Sequence, residues 1–422
     1  MNYKKTTLKN GLRIITAPMK DTNTATVVVM VGVGSRYETE KEAGLSHFIE
    51  HMFFKGTEKR PEALMISEEL DAIGGEFNAF TSKDRTAYYA KVDSRHMEVA
   101  LDVVSDIYLN SKIDAQEIEK EKGTILQEVN MREDNPMRLV GEVFEELLYS
   151  PNNLGRDVIG YKKTIESFKR KDFTNFMKRF YVSSDTVICV AGKFDEKKII
   201  SLVKKYFFAM LDGKKPQIKK VVEVQKRPEV KIKFKKTDQT HLILGNRAYH
   251  ENHKDRFAVS LMSIILGGNM SSRLFLEVRE KRGLAYYVRA GVDSYEDCGY
   301  TATQAGVEHK NLEETIRVIL QEYKKMATER VSEKELANAK NYIKGKSVMG
   351  LESSDEVAMF FIDQEIKRDK VMTIEDILAK FDKVTTSDIL RVAGDIFQEK
   401  SLNLAIIGPH KNESKLKNLL KL

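Results

Sequence analysis

The chain has 422 residues, of which 41% are hydrophobic and 32% charged, and it carries a formal net charge of +7 at pH 7. That length suits two or more domains, each burying its own core. Lysine and glutamate are interspersed almost everywhere, so the charge reads as a solvated surface and not as the concentrated basic stripe that nucleic-acid binding requires.

No run approaches the roughly eighteen apolar residues of a membrane span, and no apolar signal core follows Met1-Asn2-Tyr3-Lys4-Lys5. Cys189 and Cys298 form no C-x-x-C and suit a reducing compartment. A cytoplasmic protein without membrane or nucleic-acid partners is expected.

Asn10-Gly11 lies between strand-like segments in Thr7 to Ala17, a hairpin signal. Thr24 to Val33 is β-branched and almost continuously apolar, so a buried strand is predicted. Gly44 opens and Gly56 closes the next helix, Leu45-Ser46-His47-Phe48-Ile49-Glu50-His51-Met52-Phe53-Phe54. Two of the eight histidines of the chain stand four apart in it, with a glutamate directly before the second. Spacings of three and four put His47, Glu50 and His51 on one helix face. Neutral imidazoles at i and i+4 are a natural pair of zinc ligands, and a carboxylate beside them can take a proton from water. The order H-x-x-E-H is the inverted zinc motif.

Glu62 to Ile73 reads as a helix stopped by Gly74-Gly75, followed by paired strands over Glu76 to Ser82 and Thr86 to Asp93. A helix from about Arg95 to Asn110 comes next. Asp114-Ala115-Gln116-Glu117 is a capping-box pattern that starts a long charged helix reaching about Glu133, where Asn135-Pro136 breaks it. More helix extends to about Tyr181, then a strand over Thr186 to Ala191 and a helix over Asp195 to Met210. The lysine-rich stretch from Asp212 to Pro228 reads as a linker. The expected organisation is therefore an N-terminal domain over 1–212, a linker over 213–228 and a C-terminal domain over 229–422.

The second half repeats the first. Helix Leu312 to Ala327 corresponds to the Met97 helix, and Ser332-Glu333-Lys334-Glu335 repeats the capping box that begins at Asp114. Thr164-Ile165-Glu166 recurs as Thr373-Ile374-Glu375, and strand Thr186 to Gly192 as Leu402 to Gly408. The predicted fold class is α+β: two duplicated sandwich domains, each an antiparallel sheet packed with helices. With Asp114 set against Ser332, Glu121 falls opposite Ala339 and Glu128 opposite Lys346, and the second half has no H-x-x-E-H. The fold is duplicated and the polar site is not.

A catalytic zinc takes three protein ligands and keeps a position open. Glu117, Glu121 and Glu128 in the long helix are all available as the third. Glu121 and Glu128 are seven apart and share a face, and Glu128 lies in the least polar part, among Ile125, Leu126 and Val129, where a carboxylate is costly unless paired or coordinated.

These residues together resemble the pitrilysin (insulin-degrading enzyme) family of zinc peptidases, and most of all its half-length members related to the β subunit of mitochondrial processing peptidase. The resemblance spans essentially the whole chain. Counted from the histidine motif, the ligand glutamate of the family falls at Glu128 and its supporting glutamate at Glu121. Phe54-Lys55-Gly56-Thr57 and Asn78-Ala79-Phe80-Thr81-Ser82 also match. The resemblance implies that His47, His51 and Glu128 bind one Zn2+ per chain, that Glu50 is the general base, and that Glu121 tunes the ligands from behind. It implies that Asn78, Ala79 and Phe80 form an edge strand to which an extended peptide substrate adds.

In the second half, Arg273 to Tyr287 reads as a helix ending at Gly283 and then a strand. Arg279 and Tyr286 match the arginine and tyrosine that the family places on the wall facing the zinc, with Tyr287 the neighbouring competitor. The family closes as a clamshell of four repeats, of which two make half. A homodimer is expected, or a heterodimer with a degenerate homologue. The function expected is a zinc-dependent endopeptidase hydrolysing peptides or unfolded segments in a closed dimeric chamber. The alternative is a non-catalytic partner subunit of a processing-peptidase-like complex.

Overall fold

A computed structural model describes residues 2–214, 216–368 and 370–422, so one position of the expected linker, Lys215, lies outside the described residues. The strands are β1 (Lys4–Thr7), β2 (Arg13–Pro18), β3 (Thr24–Val31), β4 (Glu76–Thr81), β5 (Thr86–Asp93), β6 (Thr186–Gly192), β7 (Glu229–Phe234), β8 (Thr240–Ala248), β9 (Ala285–Ser294), β10 (Gly299–Val307) and β11 (Leu402–Gly408). They form two sheets, ordered β1-β2-β6-β3-β5-β4 and β7-β11-β8-β10-β9. All neighbours are antiparallel except β2–β6 and β7–β11. From β2 onward the first order maps strand for strand onto the second, with the parallel pair in the same place. The α+β duplication expected from the repeat is therefore present in the topology itself.

The predicted elements form where the local chemistry puts them. Gly11 turns the first hairpin at φ 85°, and Asp114 Oδ1 accepts from the backbone N–H groups of Gln116 and Glu117 to start helix Ala115–Glu133. Ser332 and Glu335 complete a reciprocal capping box at the head of helix Glu333–Met349. The two helices begin at equivalent positions, each directly after its cap, as the repeat requires. The Arg95 helix begins at Met97, because a tight turn over Ser94–His96 comes first. The helix predicted to reach Met210 ends at Tyr206.

The chain divides into two compact units, 1–130 with 156–219 and 347–374, and 131–155 with 220–346 and 375–422. Each unit thus takes a helix from the other half of the sequence. In the first unit, alternate residues of β3 serve two cores. Val27, Val29 and Val31 pack under helices Leu45–Met52, Met97–Asn110 and Arg170–Phe180. Val28 and Met30 instead face Val357, Ala358, Phe361 and Ile362 of helix Ser354–Lys367. Burial on both faces is why β3 reads as an unbroken apolar run. In the second unit, helix Pro136–Tyr149 lays Leu139, Val140, Val143 and Phe144 on Ile243, Ala405 and Ile407. The compact units accordingly differ from the sequence halves 1–212 and 229–422. The chain passes from the first unit to the second at residues 130–131, in the last turn of helix Ala115–Glu133 and shortly before the asparagine–proline break ahead of Pro136. Among the described residues, no helix is long and apolar enough to cross a membrane.

Candidate active site

Helix Leu45–Met52 buries Leu45, Phe48, Ile49 and Met52, with Phe48 edge-on to Phe168 and Phe173. The remaining stripe, at i, i+3 and i+4, carries His47, Glu50 and His51. The helix starts at Gly44, whose φ is 96° and where a Cβ would come within 2.5 Å of Ile159 O. Glycine is required there on both counts. The first N–H groups are satisfied by Glu38, which is fully buried and whose two oxygens accept from Gly44 N at 2.8 Å and Ser46 N at 2.7 Å. Burial pushes the Glu38 carboxyl up to about 8, against the pull of those two bonds.

The second contributor is helix Ala115–Glu133, on which Glu121, Ile125 and Glu128 share one face. Ile125 and Glu121 are buried. This brings Glu128 Oε2 to 3.6 Å from His47 Nε2 and 3.7 Å from His51 Nε2. Ligand atoms of a four-coordinate zinc lie about 3.4 Å apart, so the donor set fits that ion. His47, His51 and Glu128 are also the one group of histidine, cysteine or carboxylate side chains among the described residues that could hold a metal.

Behind the trio, His51 Nδ1 lies 2.8 Å from Glu121 Oε1, and Lys55 Nζ lies 2.6 Å from Glu121 Oε2. Burial would raise the Glu121 carboxyl, but the bonds from His51 and Lys55 outweigh it and hold it below its ordinary value. Glu50 shows the opposite balance. Burial raises its carboxyl, although a bond from the Thr81 hydroxyl and the charge of His51 oppose the rise. Two neighbouring carboxylates are thus pushed apart, one toward holding a proton and the other toward ionisation.

Asn78, Ala79 and Phe80 lie on β4, the free edge of the first sheet. The N–H of Ala79 donates to its neighbour, Asn78 Oδ1, at 2.8 Å. That bond occupies a position which a carbonyl of an added strand could take. Arg279 and Tyr286 lie in the second unit. The helix predicted there is a π-helical turn, Phe275–Glu280, ending before Gly283 at φ 60°. The Arg279 guanidinium carbon lies 6.0 Å from the centre of the Tyr286 ring, which is 74% exposed. Tyr287 instead turns inward to His241 Nδ1 at 3.0 Å, and burial pushes its hydroxyl up to about 12.

Sequence reasoning assigned no role to Glu38, Lys55 or Thr81. Lys55 lies one turn beyond His51, a legible spacing. Glu38 and Thr81 reach the helix only through the tertiary fold.

Residues 13–162 match the family description "Insulinase (Peptidase family M16)" and residues 167–343 match "Peptidase M16 inactive domain". The chain is 34% identical over 416 residues to an uncharacterized zinc protease of Streptomyces coelicolor, covering 97% of this chain and 90% of the relative. It is also 34% identical over 409 residues to the uncharacterized zinc protease YmxG of Bacillus subtilis, covering 97% and 99%. Among solved structures, a protease from Helicobacter pylori superposes with a TM-score of 0.89 at 25% identity, covering 97% of this chain and 99% of that one.

Proposed function

Because this chain belongs to peptidase family M16, the insulinase family, and is of the half-size form, we propose that it is a zinc-dependent endopeptidase acting on peptides or unfolded polypeptide segments. The observation that carries this reading is the convergence of His47, His51 and Glu128 from two helices whose counterparts in the second half lack those residues. Residues 167–343, which match the inactive-domain description, hold none of the three. The scaffold alternative therefore has no support from the first half.

In this reading His47 and His51 offer Nε2 and Glu128 offers a carboxylate oxygen. Zinc, when bound, supplies Lewis acidity that polarises a peptide carbonyl and makes a water molecule acidic near neutral pH. Glu50, whose proton affinity burial has raised, takes the proton of the water and passes it to the departing amine. Glu121 accepts from the Nδ1–H of His51, which fixes the tautomer that leaves Nε2 free to ligate, and Lys55 holds Glu121 ionised. Asn78, Ala79 and Phe80 receive the substrate as an added strand, and Arg279 and Tyr286 hold its backbone or the developing oxyanion. The half-size form supports two copies closing around a chamber, as a homodimer or with a degenerate homologue. The location is the cytoplasm, with one zinc per chain.

The deciding experiment is cleavage of a quenched fluorescent peptide library by the purified protein beside Glu50→Gln, with bound metal quantified in both. Cleavage by the wild type alone, with zinc in both proteins, is expected. No zinc and no cleavage would overturn the reading.

A further inference from the structure

The two helices of the metal centre are tied together by a short loop that carries an unusual backbone. Ser111 Oγ donates to Met52 O at 3.1 Å, Lys112 N donates to Gly56 O at 3.1 Å, and Thr57 and Ser111 form an isolated bridge. These contacts fasten the loop to the end of the histidine helix. Just beyond it, Asp114 caps the Glu128 helix. Between them Ile113 has φ 47°, the one positive φ outside glycine among the described residues. A β-branched side chain in the left-handed region is strained by about 1–3 kcal/mol. The conformation is held by Arg170, which donates from Nε to Ile113 O at 2.9 Å and from Nη2 to Lys112 O at 3.1 Å.

A cavity of about 290 Å³ opens against this same loop. Tyr108, Tyr181 and Met177 line its apolar part, and Lys112, Lys178 and Arg170 line it with positive charge. Among the described residues no carboxylate pairs with any of these three cations, whereas the adjacent Arg179 is paired with Glu42. Aromatic and thioether surface favours a compact apolar body, aromatic above all. Three uncompensated cations favour one anionic head. The volume, at the small end of ligand sites, admits a single ring with a short tail and excludes a polymer.

We propose that this cavity is a binding site for a small amphiphilic anion, an arylalkyl carboxylate or its like, and that its occupancy is coupled to the metal centre through Ser111–Ile113. The coupling rests on the metal-centre reading, and the binding does not. A ligand here touches the strained loop that spaces the two ligand-bearing helices, so it changes the relative free energy of the spacings that bind metal.

Calorimetric titration with 4-phenylbutyrate tests the site, with 4-phenylbutan-1-ol and acetate as controls. Saturable binding to the wild type is expected, weakened about tenfold by loss of charge in the alcohol and about tenfold in Lys178→Glu. Filling the cavity in Met177→Trp should abolish it, and acetate should give no saturable heat. No saturable binding to the wild type, or binding to both variants as tight as to the wild type, overturns the site. Zinc affinity, measured by chelator competition with and without 4-phenylbutyrate, is expected to shift about fivefold. An unchanged affinity overturns the coupling. Absence of zinc binding in both conditions would overturn the metal-centre reading and leave the calorimetric result standing.

Discussion

His51 presents Nδ1 to Glu121 Oε1 at 2.8 Å while its Nε2 faces Glu128 at 3.7 Å. One imidazole therefore links the acceptor behind it to the candidate ligand in front, and the tautomer is set by Glu121. Replacing Glu121 with alanine frees that ring and strands Lys55. Zinc affinity is expected to fall about 10–100-fold, with Glu121→Gln falling less because its amide oxygen still accepts. Chelator competition on both variants checks this, and equal losses would remove the tautomer argument.

The free edge at β4 makes a separate prediction. Proline at Ala79 removes the N–H that Asn78 now occupies, and proline is tolerated on an edge strand whose N–H faces out. Ala79→Pro should therefore keep the fold and raise KM for peptides, with kcat changed much less. A collapse of kcat at unchanged KM would mean that substrate does not add at this edge.

Arg60 is 1% exposed and binds Glu69 at 2.6 Å, Asp102 at 2.6 Å and Asp106 at 2.8 Å. Thr57 donates to the same Asp106. The loop after the histidine helix is thus tied to helix Met97–Asn110 through a buried charge. Arg60→Ala leaves Asp106 buried without its cation and should cost about 3–5 kcal/mol in denaturant unfolding. Arg60→Lys should recover only part of it, because one ammonium cannot serve three carboxylates in a fork.

Glu38 gives a pH dependence with a definite sign. Its folded value of about 8 lies above the ordinary 4.5, so the native state holds a proton that the unfolded chain releases in between. The stability this contributes is complete below about pH 4.5 and is lost as pH rises through about 8. Burial is the main cause, and Glu42 adds to it. Thermal unfolding from about pH 5.5 to 8.5 should show the wild type losing stability relative to Glu38→Gln, which has no such proton. Parallel curves would place the Glu38 carboxyl below this window.

A two-copy chamber predicts complementation. In that arrangement the Glu50 of one copy works with the Arg279 and Tyr286 of the other. Mixing Arg279→Ala with Glu50→Gln should restore activity toward about a quarter of the wild-type level, since half the copies enter mixed dimers with one intact site each. Mixed dimers that form and remain inactive would exclude action across copies.

How much of this was legible from the chain depends on the range of the interaction. The face shared by His47, Glu50 and His51 follows from helical period alone, as does the face shared by Glu121 and Glu128. The duplication was readable from order and offset, and the loss of both glutamates at Ala339 and Lys346 singled out the first half. Boundaries read from capping boxes are right where the cap is local, at Asp114 and Ser332, and the break read at Asn135-Pro136 falls just after the long helix ends at Glu133. Tertiary structure alone decided the rest. An amphipathic helix states that it has a buried stripe and not which sheet covers it, so Pro136–Tyr149 and Ser354–Lys367 gave no sign of serving the opposite unit. Period and propensity likewise carry no mark of the π-helical turn at Phe275–Glu280, nor of the left-handed Ile113, which is held by Arg170 from a distant helix. Whether Glu38 caps the helix that begins after Gly44, and whether His51 meets a carboxylate on a separate helix, depends on packing that no local pattern encodes.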